Sequence, residues 1–159
     1  MAGARVKVGL DSSCLVPLLM TEHGFHEPTR AEWDKLKREQ AQFVVPCHAL
    51  LETFSVLTRI PAPYRRVAEA VREMLHENFA QDAIIPGVDA ELVWTCLEDL
   101  VARHESGGVI YDAVIAHSTF SAGASVLLTW NVRDFVRIAP AGLEIMTPGE
   151  YAARASRLH

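Results

Sequence analysis

Val6-Lys7-Val8-Gly9-Leu10-Asp11 opens the interpretable part of the chain: a short, mostly apolar run that stops on an acid. A second run of this kind, Ser125-Val126-Leu127-Leu128-Thr129-Trp130, lies near the other end and leads into Asn131-Val132-Arg133-Asp134. Between them, short strand-like runs alternate with longer helical patterns, the signature of an α/β domain with a central, mostly parallel sheet flanked by helices. Strands are expected at 5–10, 43–46, 83–86, 125–130 and 143–147. Helical periodicity is clearest behind Asp89, where Leu92, Val93, Cys96, Leu97, Leu100 and Val101 recur at three- and four-residue steps. Val67, Ala70, Val71, Met74 and Leu75 form a second stripe after the Pro61-Ala62-Pro63 breaker. Further helices are expected after Asp11, around 28–40, from about 47 to 59, and from about 112 to 122.

With 159 residues, half of them hydrophobic, the chain suffices for one compact domain over 1–159 and is short for two. No run of eighteen uninterrupted apolar residues is present, so no membrane span is expected. The opening Met1-Ala2-Gly3-Ala4-Arg5 lacks the apolar stretch of a signal peptide, which points to a cytoplasmic protein. Cys14, Cys47 and Cys96 are odd in number and fall in apolar helical patterns, so they read as free buried thiols. The net charge of −5 argues against a passive nucleic-acid binder. It leaves room for an enzyme acting on RNA, with a basic rim drawn from Arg30, Lys35, Lys37 and Arg38, from Arg59, Arg65 and Arg66, or from Arg133 and Arg137.

Four carboxylates stand out against this background. Asp11 closes the first strand, Glu52 lies within an apolar helix, Asp112 interrupts Val109-Ile110-Tyr111 and Ala113-Val114-Ile115, and Asp134 follows the 125–130 strand. An ionised carboxylate among apolar residues costs several kcal/mol unless it is paired or binds a metal. Little cationic partnership is visible nearby in the sequence, and one divalent ion held by all four explains the set. If the strands before Asp11 and Asn131 run parallel, both segments emerge at the carboxyl edge of the sheet, where such folds bind ligands. Hard oxygen donors with no Cys or His cluster suit Mg²⁺ or Mn²⁺ rather than zinc. Each residue also has a bland explanation: Asp112 as a helix cap, Asp134 as a turn residue, Ser12 and Ser13 as helix starters. His23 and His26 offer a weak metal spacing with no third ligand. There is no Gly-x-Ser-x-Gly elbow and no Gly-rich phosphate loop, which disfavours serine hydrolase, nucleotide-driven and nicotinamide chemistry.

Leu10-Asp11-Ser12-Ser13, Leu50-Leu51-Glu52, Tyr111-Asp112-Ala113-Val114-Ile115-Ala116 and Thr129-Trp130-Asn131-Val132-Arg133-Asp134-Phe135, in that order, resemble the PIN-domain ribonucleases, and within them the VapC-like toxins of VapBC-type toxin–antitoxin pairs. The resemblance spans nearly the whole chain. It implies a single PIN-like domain, Asp11 and Asp112 as central Mg²⁺ ligands, Glu52 and Asp134 completing the pocket, and Ser13 helping to order it. Asn131, which cannot carry charge, would be a polar support. The resemblance further implies cleavage of RNA leaving a 3′-hydroxyl and a 5′-phosphate, a small VapB-like antitoxin covering the groove, and a homodimer. An RNA-processing or DNA-directed nuclease of the same fold would share every acid. A phosphoacceptor or phosphatase built on Asp11, or an inert binding module, belongs to another class.

Overall fold

The computed structural model describes residues 5–157; Met1–Ala4, part of the stretch on which the expectation of no signal peptide rests, lie outside them. Four strands, β1 (Lys7–Leu10), β2 (Gln42–Val44), β3 (Val126–Leu128) and β4 (Glu144–Met146), form one sheet in the order β2-β1-β3-β4. All three pairings are parallel. Eight helices accompany them among the described residues: α1 (Ser12–Leu19), α2 (His26–Arg38), α3 (Cys47–Arg59), α4 (Ala68–Phe79), α5 (Ala90–Ala102), α6 (Val109–Ser121), α7 (Val132–Phe135) and α8 (Pro148–Ser156).

Register and pleat explain why the strands are apolar throughout. Val8 stands opposite Phe43 and Val126, so these side chains share a face with Leu10 and Leu128. That face meets Trp33 and Leu36 of α2, with the Trp33 ring stacked on Phe43 at 3.9 Å. Gly9, Val44 and Leu127 fall on the opposite face, where Gly9 lies against Thr119 of α6. A sheet covered on both faces needs no polar alternation.

Two element boundaries need correction. The strand expected at 83–86 contracts to one parallel bridge between Ile84 and Val44, because Pro86 has no amide to donate. The last helix before β3 starts at Val109 rather than near 112, with Gly108 as its cap residue. On α5 only Cys96 and Leu100 of the apolar stripe are buried, and Val93, Leu97 and Val101 face outward with Trp94. All three cysteines are free; Cys14 and Cys96 are buried, but Cys47, the first residue of α3, is only half-buried, against the expectation. Among the described residues no helix is long and apolar enough to cross a membrane.

Candidate active site

The chain runs from β1 outward to β2, then returns past β1 to form β3, so the strand order reverses between β1 and β3. At such a switch point the connections leave in opposite directions and open a crevice beyond the strands' carboxyl ends. Asp11 and the segment from Thr129 to Asp134 emerge there together. The Asp11 amide still donates to Leu128 O at 3.1 Å, pinning the acid beside the end of β3.

Asp11 is 1% exposed, and donors rather than a cation accommodate its charge. Its Oδ2 accepts from the Ser13 amide at 3.2 Å, which makes Asp11 the N-cap of α1, and from Thr129 Oγ1 at 2.9 Å. Because the Thr129 proton is committed to Asp11, Ser13 Oγ must donate across the 3.1 Å contact to Thr129 Oγ1. Ser13 Oγ in turn accepts from the Trp130 amide at 2.9 Å, and Thr129 Oγ1 from the Asn131 amide at 3.0 Å. The start of α1 and the end of β3 are thereby locked into one network that orients a single carboxylate.

Glu52 enters from α3. Ser12 Oγ donates to its Oε2 at 2.7 Å, and His48 Nε2 lies 3.0 Å from Oε1, one helical turn earlier. The Ser12 hydroxyl is 3.3 Å from Asp11 Oδ1, so its single proton belongs to the shorter Glu52 bond. The His48 ring is stacked on Tyr111, next to Asp112, at 5.2 Å and 3°. His48 is thus a local partner for Glu52, where sequence inspection saw almost none; the i, i+4 spacing was its available signal.

Asp112 lies in the first turn of α6 without capping it, since Gly108 holds that position. Burial pushes its carboxyl up to about 6, and the charges of Asp11, Glu52 and Asp134 push the same way, against a smaller opposing effect of Arg137. Asp134 sits exposed on α7. Asn131 precedes that helix without a side-chain cap bond, and its connection to the network runs through its backbone amide. All four sequence-nominated acids therefore share one electrostatic neighbourhood. Among the described residues, no three His, Cys, Asp or Glu side chains are drawn tightly enough to enclose an ion as they stand. The donor chemistry is nevertheless all carboxylate oxygen, the set preferred by hard divalent cations. His26 Nδ1 contacts Pro17 O at 2.7 Å and His23 Nδ1 accepts from the Phe25 amide at 3.1 Å, so each histidine has a local structural bond. Ser12 and Thr129, central to the geometry, were respectively read as a helix starter and as part of a strand end.

A parallel sheet with a carboxylate-lined crevice at its switch point is the architecture of a PIN domain. The PIN domain family matches residues 8–140, and the chain belongs to that family, whose members are nucleases that generally use divalent metal ions. Ribonuclease VapC27 of Mycobacterium tuberculosis is 34% identical over 110 residues, covering 69% of this chain and 74% of that protein. The crystal structure of VapC20 of M. tuberculosis, a sarcin–ricin loop cleaving toxin, superposes with a TM-score of 0.66 at 17% identity, covering 81% of this chain and 93% of that one. VapBC2 from Rickettsia felis, solved bound to a DNA fragment from their promoter, gives 0.64 at 16% identity over 88% of this chain and 97% of that one.

Proposed function

We propose that residues 1–159 form one nuclease domain, an endoribonuclease toxin of a type II toxin–antitoxin pair, which hydrolyses RNA phosphodiester bonds with Mg²⁺ or Mn²⁺ at Asp11, Glu52, Asp112 and Asp134. The observation that carries this is the convergence of four carboxylates: burial raises the Asp112 carboxyl to about 6 and the charges of Asp11, Glu52 and Asp134 add to that rise, a repulsion that a divalent cation would relieve. The 34% identity to a VapC ribonuclease supports RNA as substrate. The VapBC2 structure supports an antitoxin partner by likeness of fold. The outward Val93, Trp94, Leu97 and Val101 on α5 support a homodimer, and a cytoplasmic location follows from the RNA target.

A divalent ion at this site supplies a Lewis acid for the phosphate and a bound water of lowered pKa. The chain's own part is positioning. Thr129 and Ser13 hold Asp11 in one orientation, while Ser12 and His48 hold Glu52 from two sides. By resemblance to the family, water attacks the phosphorus and O3′ leaves, so the P–O3′ bond breaks and the cut leaves a 3′-hydroxyl and a 5′-phosphate. Arg133 and Arg137, both exposed beside Asp134, are placed to meet phosphates of the strand. A phosphoacceptor role for Asp11 is disfavoured by its 1% exposure and by the donors occupying Oδ2.

The test is incubation of the purified protein with total RNA in Mg²⁺, Mn²⁺ or EDTA, followed by sequencing of fragment 5′ ends. Defined cleavage sites that require metal and vanish in Asp11→Asn and Asp112→Asn are expected. Cleavage that persists in EDTA, or in both variants, would overturn the assignment.

A further inference from the structure

One wall of the crevice is left unused by this chemistry. A cavity of about 320 Å³ opens beside the acids, lined among others by Ser12, Ser13, His23, Phe25, Trp130 and Asn131. Ser12 is also the residue that holds Glu52, so cavity and carboxylates share an edge. Phe25 and Trp130 stack with ring centroids 4.2 Å apart and planes 8° from parallel. The indole is fixed at both ends: Nε1 donates to Thr29 Oγ1 at 3.0 Å and the backbone amide donates to Ser13 Oγ at 2.9 Å. Phe25, at 46% exposure, presents apolar ring surface to solvent. No cavity-lining side chain carries a fixed charge, which suits a neutral aromatic ligand rather than a phosphate.

Resting on the ribonuclease assignment, we infer that this cavity takes one unpaired nucleobase of the RNA strand, adjoining the scissile phosphate and stacked on the Phe25–Trp130 pair. Stacking on aromatic side chains accepts any base, and the nearby Ser12, His23 and Asn131 provide hydrogen-bonding groups for a base edge. A base inside a duplex cannot enter such a cavity, so cleavage is directed to single-stranded or splayed positions.

The test uses a 12-nucleotide RNA spanning a cleavage site mapped on total RNA, together with copies carrying a single abasic residue on either side of the scissile phosphate. For the wild type, kcat/KM should fall about ten- to a hundredfold for the abasic residue on one side only. Phe25→Ala should show a similar loss on the intact RNA, and the two losses should not multiply, because each removes the same stack. Phe25→Tyr should restore activity; Phe25→Leu, which keeps apolar bulk without a ring, should not. Equal activity of all Phe25 variants on intact RNA, or losses that multiply, would overturn the subsite. So would Phe25→Ala weakening only the grip on a co-expressed antitoxin, which would assign the cavity to a protein partner. A wild type that cleaves no RNA with either metal removes the ribonuclease assignment itself; a wild type that cleaves while Phe25 and the abasic positions are silent removes the subsite alone.

Discussion

Ser12 Oγ donates to Glu52 Oε2 across 2.7 Å, joining the first residue of α1 to the middle of α3 over forty positions of sequence. Without this bond a mid-helix glutamate beside a solvent-open crevice would sample several rotamers. The Ser12 bond fixes Oε2, and His48 Nε2 lies 3.0 Å from the other oxygen. A hydrogen bond to a charged group contributes about 1.5–3 kcal/mol. Ser12→Ala should therefore leave the fold intact and lower kcat/KM by roughly 10- to 150-fold if the whole term is expressed in the transition state. Steady-state cleavage of a mapped RNA site checks this; wild-type rates in Ser12→Ala would mean that Glu52 needs no such anchor.

Asp112→Asn separates chemistry from folding. The helix is capped at Gly108, so the carboxylate has no capping duty to lose. The substitution removes a charge that burial and three neighbouring acids disfavour. The variant should be inactive, folded, and in EDTA at neutral pH more heat-stable than the wild type, with roughly 2–4 °C gained for each kcal/mol of repulsion relieved. Melting curves and RNA cleavage on the same preparations decide it. An active variant would remove Asp112 from the site, and a less stable one would mean that its charge is satisfied in the metal-free protein.

That Asp11 and the segment leading to Asp134 lie at one sheet edge was legible because each follows directly on a short apolar run, and two such runs in a parallel sheet open onto one edge. The partners were not. Thr129 binds Asp11 across 118 positions and Ser12 binds Glu52 across 40, so no local pattern announces either. The His48–Glu52 pair was legible in principle from its helical spacing. The start of α6 was misplaced because Val109 and Ile110 carry β-branched side chains that weaken a helical pattern, while the true boundary is set by Gly107, at φ 77°, and Gly108. The stripe on α5 was correct as periodicity, but periodicity does not say which of two adjacent apolar rows meets the core.

The close approach of α6 to the sheet depends on the missing side chain at Gly9. A Cβ there would overlap the Thr119 methyl group and press on Leu127, both on buried residues with no room to yield. Gly9→Ala should cost about 1–3 kcal/mol through overpacking. Gly87→Ala, with nothing within 4 Å of the added carbon, should change stability by no more than about 0.5 kcal/mol. Urea unfolding of the three proteins gives the comparison. Equal midpoints for Gly9→Ala and the wild type would show that α6 can move away from β1 without penalty.

Metal and protons should compete for the same carboxylates. In the metal-free protein the Asp112 carboxyl titrates near 6, above its ordinary value of 3.8, so the folded state binds this proton more tightly than the unfolded chain does. Its contribution to stability is therefore present below about pH 4 and is lost as pH rises through about 6. A bound divalent cation requires the ionised form and reverses that dependence. At tenfold excess over its dissociation constant, Mn²⁺ should add about 1.4 kcal/mol, or roughly 3–6 °C in Tm, at pH 7.5. At a fixed Mn²⁺ concentration this gain should shrink through pH 6 and fall to roughly a quarter, about 0.4 kcal/mol, by pH 5, because each unit below the Asp112 titration weakens the metal by up to about tenfold. Thermal melts in Mn²⁺ and in EDTA at matched ionic strength, from pH 5 to 8, measure the difference directly. A gain that stays constant across that range would show that the ion binds away from Asp112.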